Sequence, residues 1–212
     1  MKRLLITAGP TVEPLDPVRF LSNQSTGEMG YAIARQAKKK GWCVTLISGP
    51  VPIDPPKGVR LLQINTAAEL RQACVREFPQ HDRLIMAAAV CDFTPSKRSQ
   101  HKIQRRGTLR MTLKKTPDIL AELTERKGRR QVIGFCLESR KWIENAILKC
   151  RRKKLDGIVA HKIGPGHIPF GACKVQAALI DRAGKVHRLR KLDKAVLAVR
   201  ILRWADSLAI CR

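Results

Sequence analysis

The chain has 212 residues, of which 44% are hydrophobic and 28% charged, proportions that are ordinary for a globular protein able to bury a core within one domain. Its 42 lysines and arginines face only 17 aspartates and glutamates, which leaves a formal net charge of +25. Such an excess attracts polyanions, and it also suits an enzyme whose substrates carry phosphate groups. Charge alone does not separate these two classes.

The seven cysteines, an odd number without C-x-x-C spacing, indicate neither a disulfide framework nor a zinc site. Several lie in apolar stretches, such as Cys43 and Cys136, and we expect buried, reduced thiols in a cytoplasmic protein. The first apolar run is too short for a signal peptide, and no run approaches the roughly 18 apolar residues of a membrane helix. Four of the five histidines lack the spacing of metal ligands and are expected at the surface or in loops, namely His81, His101, His167 and His187.

Short apolar runs alternate with amphipathic segments along the chain. The runs predict strands buried on both faces of a parallel sheet at residues 4–8, 43–48, 84–90, 131–135 and 157–160. The amphipathic segments predict helices at Thr26–Lys40, Ala67–Phe78, Pro117–Arg126 and Arg140–Lys153. Near the end, KVQAALID and KVHRLR flank RAG as a β-hairpin, and a last helix is expected from Lys191 to about Ala209.

This alternation predicts a single α/β domain over residues 1–212, with an open, mainly parallel sheet, helices on both faces and a C-terminal β-hairpin. A polar, basic segment from Thr94 to Arg110 interrupts the alternation of strands and helices and is expected to form a long loop or flap. Ligands of open α/β sheets bind beyond the carboxyl ends of the strands. Three segments rich in small or polar residues follow strands and should converge there, namely TAGPTVEPLDPVRFLSNQSTG, AAAVCDFTPSK and GFCLES.

The turn from Ser25 to Glu28 has two interpretations, and both can hold. The pattern S-x-x-E is a capping box, in which Ser25 accepts from a first-turn amide and Glu28 reaches back to the Ser25 amide. Free amides at a helix N-terminus beside Gly27, which has no side chain, also make an anion site. Gly27 and Gly30 equally permit close packing of the helix on the sheet, so the residues alone leave the choice open.

The segment TAGPTVEPLDPVRFLSNQSTGEMGYAIA closely resembles the signature of the phosphopantothenoylcysteine synthetases. The resemblance continues in order through AAAVCDF, HKIQRR, TPDILAEL, VIGF, the Lys149 and Lys153 pair before LDGIVA, and the terminal helix. It implies a Rossmann-like fold and a ligase of coenzyme A biosynthesis that uses CTP and a divalent metal, usually Mg²⁺, to join 4′-phosphopantothenate to L-cysteine. The implied reaction forms an acyl-cytidylate with release of pyrophosphate, and the cysteine amine then displaces CMP.

The resemblance also implies partners. The bacterial family forms homodimers in which the flap, here residues 94–113, reaches toward the neighbouring subunit. Because no decarboxylase segment precedes the first strand, we expect a stand-alone synthetase whose product passes to a separate flavin-dependent decarboxylase. No membrane partner is expected, and nonspecific binding of nucleic acid stays open as a secondary property.

By resemblance, Lys102 on the flap is catalytic and neutralises phosphate charge. Asn23 is implied to contact the phosphopantothenate portion and the acyl intermediate, where its amide can donate to the developing oxyanion and accept elsewhere. Arg19 is expected to clamp a phosphate or carboxylate, although a plain surface arginine is a rival interpretation. The implied nucleotide-binding residues are Ser25, Gly27, Gly30, Asp92, Lys102, Pro117, Asp118, Ile119, Leu120, Phe135, Lys149 and Lys153. The implied substrate-binding residues are Arg19, Asn23, Ala88, Ala89 and His161. Lys149 and Lys153 stand four residues apart on one helix face and could converge on one anion. No metal ligands are assigned.

The chain departs from the family pattern at four positions. The bacterial family commonly has arginine and lysine at Gln24 and Glu28, a lysine at Gln104 and an asparagine at His161. These departures motivate a first alternative, a degenerate synthetase fold that binds a phosphorylated metabolite without turnover. A second alternative is a nucleic-acid-binding protein, which the charge favours but the 4% aromatic content and the lack of a recognised motif do not.

Overall fold

The computed structural model describes residues 1–105, 107–164 and 169–208. Its strands are β1 Arg3–Ala8, β2 Val12–Pro14, β3 Phe20–Ser22, β4 Cys43–Ser48, β5 Arg60–Gln63, β6 Arg83–Met86, β7 Phe93–Pro95, β8 Leu113–Lys115, β9 Gln131–Glu138, β10 Gly157–Lys162, β11 Val175–Asp181 and β12 Val186–Leu192. Its helices are α1 Glu28–Lys39, α2 Ala67–Glu77, α3 Ile119–Glu125, α4 Trp142–Arg152 and α5 Lys194–Ser207, with a 3₁₀ turn at Phe78–Gln80. None of these helices has both the length and the apolar character that a membrane span requires.

Eight strands form one sheet in the order β12-β11-β10-β9-β6-β1-β4-β5. The six strands from β10 to β5 run parallel, and β11 and β12 form the antiparallel C-terminal hairpin. The predicted α/β class and the hairpin are therefore confirmed. The buried runs explain the strands, since Leu4, Leu5 and Ile6 of β1 are each 1% exposed or less and fill both faces of the sheet.

The helices cover both faces of the sheet. Helices α1 and α5 pack together on one face, where Ile33 and Ile201 join a core cluster with the side chains of β1 and β4. Helices α2, α3 and α4 cover the other face, where Leu70, Leu123 and Ala146 join a second cluster. Each helix therefore buries one apolar stripe against the sheet, as its 3.6-residue periodicity predicts.

The sheet changes its direction of growth beside β1. After β1 the chain continues to β4 and β5 on one side, and it then returns to place β6 on the other side. The segments that leave β1 and β6 stay together, because Thr11 N donates to Ala89 O at 3.1 Å and Ala89 N donates to Gly9 O at 2.9 Å. This topological switch is where open α/β sheets bind ligands.

The predicted flap leaves and rejoins the domain through an antiparallel pair of short strands, β7 and β8. Between them the described residues, 96–105 and 107–112, form no regular element. The flap is attached to the loop before β3, since Ile103 N donates to Asp16 Oδ2 at 3.1 Å and Ser99 N donates to Leu15 O at 2.9 Å. Arg106, inside this flap, lies outside the described residues.

Two expectations about single residues are wrong. Cys43 is exposed because it is the first residue of β4 and only the following residues enter the core. His81 is buried, with Nδ1 2.7 Å from Glu77 O and Nε2 2.9 Å from Thr45 Oγ1. Burial lowers the pKa of His81, although the Glu77 carbonyl acts in the opposite direction. His167 and the predicted helix end at Ala209 lie outside the described residues.

Strand and helix bounds also differ in places. The strand predicted over 84–90 ends at Met86, and the following alanines leave the sheet to line a cleft. Strand β9 continues to Glu138, and β5 and the β2–β3 hairpin were not predicted. The β5 segment is short and half-buried at the sheet edge, so its apolar run is weak.

Candidate active site

A cleft with two compartments opens at the carboxyl edge of the sheet, beside the topological switch. The first compartment, of about 270 Å³, lies between the 23–30 turn, the 87–92 segment and the end of β9. The second, of about 460 Å³, lies between the 86–93 segment and the start of α3. Both are lined by Ala88, Val90, Asp92, Phe135 and Lys149, so they are neighbouring parts of one site. The second compartment lies within the range of ordinary small-molecule pockets, roughly 300–1,000 Å³, and the first falls just below it.

Most residues expected at the site line this cleft. The first compartment holds Asn23, Ser25, Gly27, Gly30, Ala88, Ala89, Asp92, Phe135, Lys149 and His161. The second adds Pro117, Asp118, Ile119, Leu120 and Lys153. Arg19 and Lys102 are absent from the lining of both compartments. Segments far apart in sequence therefore converge as the strand order requires.

Helix α1 begins at the cleft with uncapped amides. Its N-cap is Gly27, at φ 76°, and no side chain caps the helix. A Cβ on Gly27 would stand 2.9 Å from Val51 Cγ1, so both the left-handed backbone and the close approach require glycine. The first-turn amides have no acceptor within the helix and carry the positive end of its dipole, which suits an anion.

The capping box predicted for Ser25 and Glu28 is wrong. The left-handed Gly27 turns the chain so that the Glu28 carboxylate faces α5, where Lys194 Nζ donates to it at 2.8 Å. Lys194 is 9% exposed, also donates to Gly171 O, and lines the first compartment. Sequence reasoning missed Lys194 as a cleft residue because nothing local shows that the first turn of α5 meets the first turn of α1.

Asn23 turns its amide nitrogen to the 89–91 segment, which leaves its oxygen as the group without a partner. Its Nδ2 donates to Ala89 O at 2.9 Å and points to Cys91 Sγ at 3.7 Å, so both amide protons face atoms of the 89–91 segment. Its Oδ1 accepts no hydrogen bond from the residues that the structure describes. The side chain therefore offers the cleft an acceptor, which suits a hydroxyl or an amine, instead of a donor for an oxyanion.

His161 lies at the floor of the first compartment. It is 5% exposed, and its ring meets the Phe135 ring edge-on at 5.7 Å. Its Nε2 is buried without a hydrogen-bond partner within the described ranges. Burial, with a smaller effect from the Lys194 cation, lowers the pKa of His161 to about 4. The imidazole is therefore neutral near pH 7, with Nε2 enclosed by the surrounding protein.

Lys149 and Lys153 do not converge on one point. Lys149 Nζ donates to Phe135 O at 3.1 Å, whereas Lys153 Nζ pairs with Asp118 Oδ1 at 2.7 Å. Asp118 is the N-cap of α3, where Oδ1 also accepts from Ala121 N at 3.2 Å. Although its partial desolvation acts to raise it, the pKa of Asp118 is lowered by the Lys153 hydrogen bond and the Ala121 amide. Each lysine therefore has its own acceptor here, and convergence of the two on one bound anion stays a prediction.

Arg19 and Lys102 lie away from this cleft. The Arg19 guanidinium binds Asp16 Oδ2 through Nε and Nη2 at 2.9 and 2.6 Å, and Nη2 also donates to Ile103 O at 2.6 Å. Arg19 is therefore engaged in holding the flap, and the geometry gives no support to the expected clamp. Lys102 is exposed on the flap next to Ile103.

Asp16 is the anchor of this arrangement. Desolvation acts to raise its pKa, but the Arg19 hydrogen bond and the amides of Val18, Ile103 and Arg19 bring it well below its usual range. The carboxylate is therefore ionised across the physiological pH range and joins the loop before β3 to the flap.

The carboxylates of the cleft suit a metal that arrives with a nucleotide. Asp92 has no side-chain partner among the described residues, while Glu28 and Asp118 are each paired with a lysine. The described ranges contain no group of three or more His, Cys, Asp or Glu residues that could hold a metal ion. One free carboxylate beside phosphate oxygens is typical of Mg²⁺ sites in nucleotide-using enzymes, and Asp92 fits that role.

Comparisons with known proteins agree with this geometry. A family model described as the DNA/pantothenate metabolism flavoprotein C-terminal domain matches residues 1–208. The coenzyme A biosynthesis bifunctional protein CoaBC of Bacillus subtilis is 39% identical over 210 residues, which cover 98% of this chain and 52% of that protein. A cysteine/cysteine sulfinic acid decarboxylase of an unknown prokaryotic organism is 40% identical over 205 residues, 95% of this chain and 57% of that protein. The chain thus spans about half the length of these curated relatives.

Solved structures share the fold. The C-terminal domain of a CoaBC protein superposes with a TM-score of 0.82 at 36% identity, over 96% of this chain and 93% of that chain. A DNA/pantothenate metabolism flavoprotein from Streptococcus pneumoniae gives 0.85 at 23% identity, over 98% and 99% of the two chains. The resemblance to the phosphopantothenoylcysteine synthetases is confirmed, and the chain belongs to the family of the DNA/pantothenate metabolism flavoprotein C-terminal domain.

Proposed function

We propose that this chain is a ligase of coenzyme A biosynthesis that joins 4′-phosphopantothenate to L-cysteine with the consumption of CTP. The observation that carries the proposal is the cleft, where the family's signature segments line two compartments that meet at Phe135 and Lys149. Two adjoining compartments suit a reaction that must place a nucleotide phosphate next to the carboxylate of a second substrate. The relatives named for coenzyme A biosynthesis support the same assignment.

The first compartment would take phosphopantothenate. Ala88 and Ala89 leave room beside the backbone, Asn23 Oδ1 is available for polar groups of the pantothenate arm, and the His161 ring lines the same compartment. The uncapped amides of α1 would receive a phosphate of the nucleotide where the two compartments adjoin, because they combine unpaired donors with the positive helix dipole. A structure of the same fold, the Cab2 H337A variant, was solved with phosphopantothenate-cysteine.

The second compartment would take the nucleotide. Phe135 stands between the compartments and could stack on a base or ribose, and the 117–120 segment would contact the cytosine edge. Lys149 would lie near the phosphates, with Asp92 available for Mg²⁺ bound to them. One carboxylate oxygen of the pantothenate arm would attack the α-phosphorus, pyrophosphate would leave, and the cysteine amine would then displace CMP from the acyl carbon.

The flap supports a dimeric enzyme. Six large apolar side chains are exposed on the flap, its β7–β8 base and the neighbouring β2–β3 hairpin, namely Val18, Phe20, Phe93, Leu109, Met111 and Leu113. Strands β2, β3, β7 and β8 contact one another in turn, and exposed apolar side chains on neighbouring elements are of the kind that subunit interfaces cover. Because Lys102 lies outside the cleft of its own chain, we propose that it acts in the cleft of a neighbouring subunit.

The proposal is tested by measuring pyrophosphate release from purified protein with phosphopantothenate and Mg²⁺. CTP, ATP, GTP and UTP are each tested with and without cysteine. Cysteine-stimulated release with CTP is the expected result. Release with another nucleotide would correct the nucleotide and keep the ligase, whereas folded protein without release in any combination would contradict the proposal and favour a binding protein.

A further inference from the structure

A short segment between β10 and β11, residues 169–171, forms one wall of the first compartment. Pro169 and Phe170 line the compartment together with Thr26 and Glu28 at the start of α1. The Gly171 amide donates to Thr26 Oγ1 at 3.2 Å, which ties the segment to the turn before α1. The ligase reaction proposed for the cleft leaves this 169–171 wall without a function.

Lys194, the first residue of α5, joins the wall to α1. Its Nζ donates to Glu28 Oε2 at 2.8 Å and also to Gly171 O. Gly171 therefore accepts from α5 through its carbonyl and donates to the turn before α1 through its amide. The three contacts form a closed ring that holds the wall against the beginnings of both helices.

The position of Lys194 conflicts with the local preferences of lysine. A cation is unfavourable in the first turn of a helix, because the helix dipole is positive there. Lysine is also almost never buried, yet the Lys194 side chain is 9% exposed, whereas that of its partner Glu28 is 27% exposed. Residues that break local rules in native proteins are expected at functional sites. The burial of this cation beside the compartment therefore favours a role at the site.

Lys194 acts on the cleft in two separable ways. Through the ion pair it neutralises the Glu28 carboxylate, which lies beside the uncapped amides of α1 and would otherwise repel an incoming phosphate. Through Gly171 it holds the wall in place. The first effect requires only the charge of Glu28, whereas the second requires the donor at residue 194, so variants at these two positions distinguish them.

We propose that Lys194 is a positioning residue that holds the 169–171 wall on the first compartment. The inference rests on the proposed function for the occupant of that compartment, phosphopantothenate. Without the Lys194 ammonium, Gly171 O keeps the Cys173 amide of its own segment as a donor at 2.9 Å, and the wall loses its tie to α5. The first compartment then binds its substrate less tightly. The second compartment is unaffected, because the wall and Lys194 are absent from its lining.

The test uses a charge-matched double variant, Glu28→Gln with Lys194→Met, which removes the ammonium donor and leaves no carboxylate unpaired. Pyrophosphate release is measured while phosphopantothenate and CTP are varied separately. The KM for phosphopantothenate should rise at least roughly 5-fold, while the KM for CTP and kcat should stay within about 2-fold. A partly unfolded enzyme would lose kcat and keep its KM values, so this split is not the result of lower stability.

Two further variants complete the comparison. The single variant Lys194→Met leaves the Glu28 carboxylate unpaired beside the nucleotide phosphates, so it should raise the KM for CTP as well. The control, Glu144→Gln with Lys191→Met, makes the same two changes at exposed positions of α4 and β12 and should leave both KM values unchanged.

Hydrogen exchange measures the wall without any substrate. Backbone amides of residues 169–175 should exchange faster in the Glu28→Gln with Lys194→Met variant than in the original chain, whereas those of α4 should not change. Faster exchange confined to this segment supports the role of Lys194 even if the original chain shows no turnover. The ligase proposal would then fall alone.

Three results would overturn the inference. An unchanged KM for phosphopantothenate in the charge-matched variant would mean that Lys194 acts only by neutralising Glu28. An equal rise in both KM values would mean that the whole cleft is disturbed. Unchanged exchange of residues 169–175 would mean that Lys194 does not hold the wall, whatever the kinetics show.

Discussion

His161 should make the stability of this protein fall as the pH falls from 6.5 to about 4. In the folded chain His161 is 5% exposed, its Nε2 has no described partner, and burial together with Lys194 lowers the pKa from 6.5 to about 4. In that pH range the unfolded chain binds a proton at this residue and the folded chain does not. The contribution is therefore complete above the unfolded pKa and is lost as the pH falls through the folded pKa.

The size of the effect follows from the shift. At about 1.36 kcal/mol per pKa unit, it amounts to about 3 kcal/mol of unfolding free energy. The variant His161→Gln keeps a polar side chain of similar reach but does not titrate. Its unfolding free energy should therefore lose about 3 kcal/mol less than that of the original chain across the same pH range.

Urea unfolding at closely spaced pH values measures this difference, with the midpoint and the slope m fitted separately at each pH. Buried His81 contributes equally to both chains, so it cancels in the comparison. A His187→Gln variant, at an exposed position of β12, controls for the loss of one imidazole. Parallel pH profiles of the original chain and His161→Gln would refute the reasoning, because the folded state would then bind the proton as readily as the unfolded state.

Four further outcomes are expected. The Gly30→Ala variant places a Cβ 2.5 Å from Ala8 Cβ and should cost about 1–3 kcal/mol in urea unfolding. The Gly164→Ala variant, whose Cβ would meet no atom of the described residues within 4 Å, should cost little. The Lys127→Met variant leaves the Asp156 carboxylate buried without its 2.6 Å partner and should cost about 3–5 kcal/mol of unfolding free energy. The exposed Lys2→Met control should cost under about 1 kcal/mol, and equal losses in the two variants would contradict this ranking. The Leu109→Asp variant, which places a charge on the flap, should shift the sedimentation of the protein from dimer to monomer. The Leu148→Asp variant, exposed on α4, should not, and a dimer in both variants would exclude the flap as the interface. The Lys102→Gln variant should abolish CTP-dependent pyrophosphate release with dimerisation intact, and unchanged turnover would remove this lysine from the reaction.

The sequence alone determined the layers and the order of the chain. Unbroken apolar runs such as the one in β1 must be buried on both faces, and amphipathic segments between them must cover a sheet, so the α/β class followed from local patterns. The signature segments after the strands indicated the cleft for the same reason, because parallel strands direct their carboxyl ends to one edge.

Only the tertiary structure decided which side chains meet. The spacing of Lys149 and Lys153 placed both on one helix, but their acceptors, Phe135 O and Asp118, come from other elements. Glu28 has the sequence of a capping residue, yet its partner is Lys194, far along the chain. Backbone conformation is largely set by neighbours in sequence, whereas the partner and the pKa of a polar side chain depend on groups that folding brings within hydrogen-bond distance.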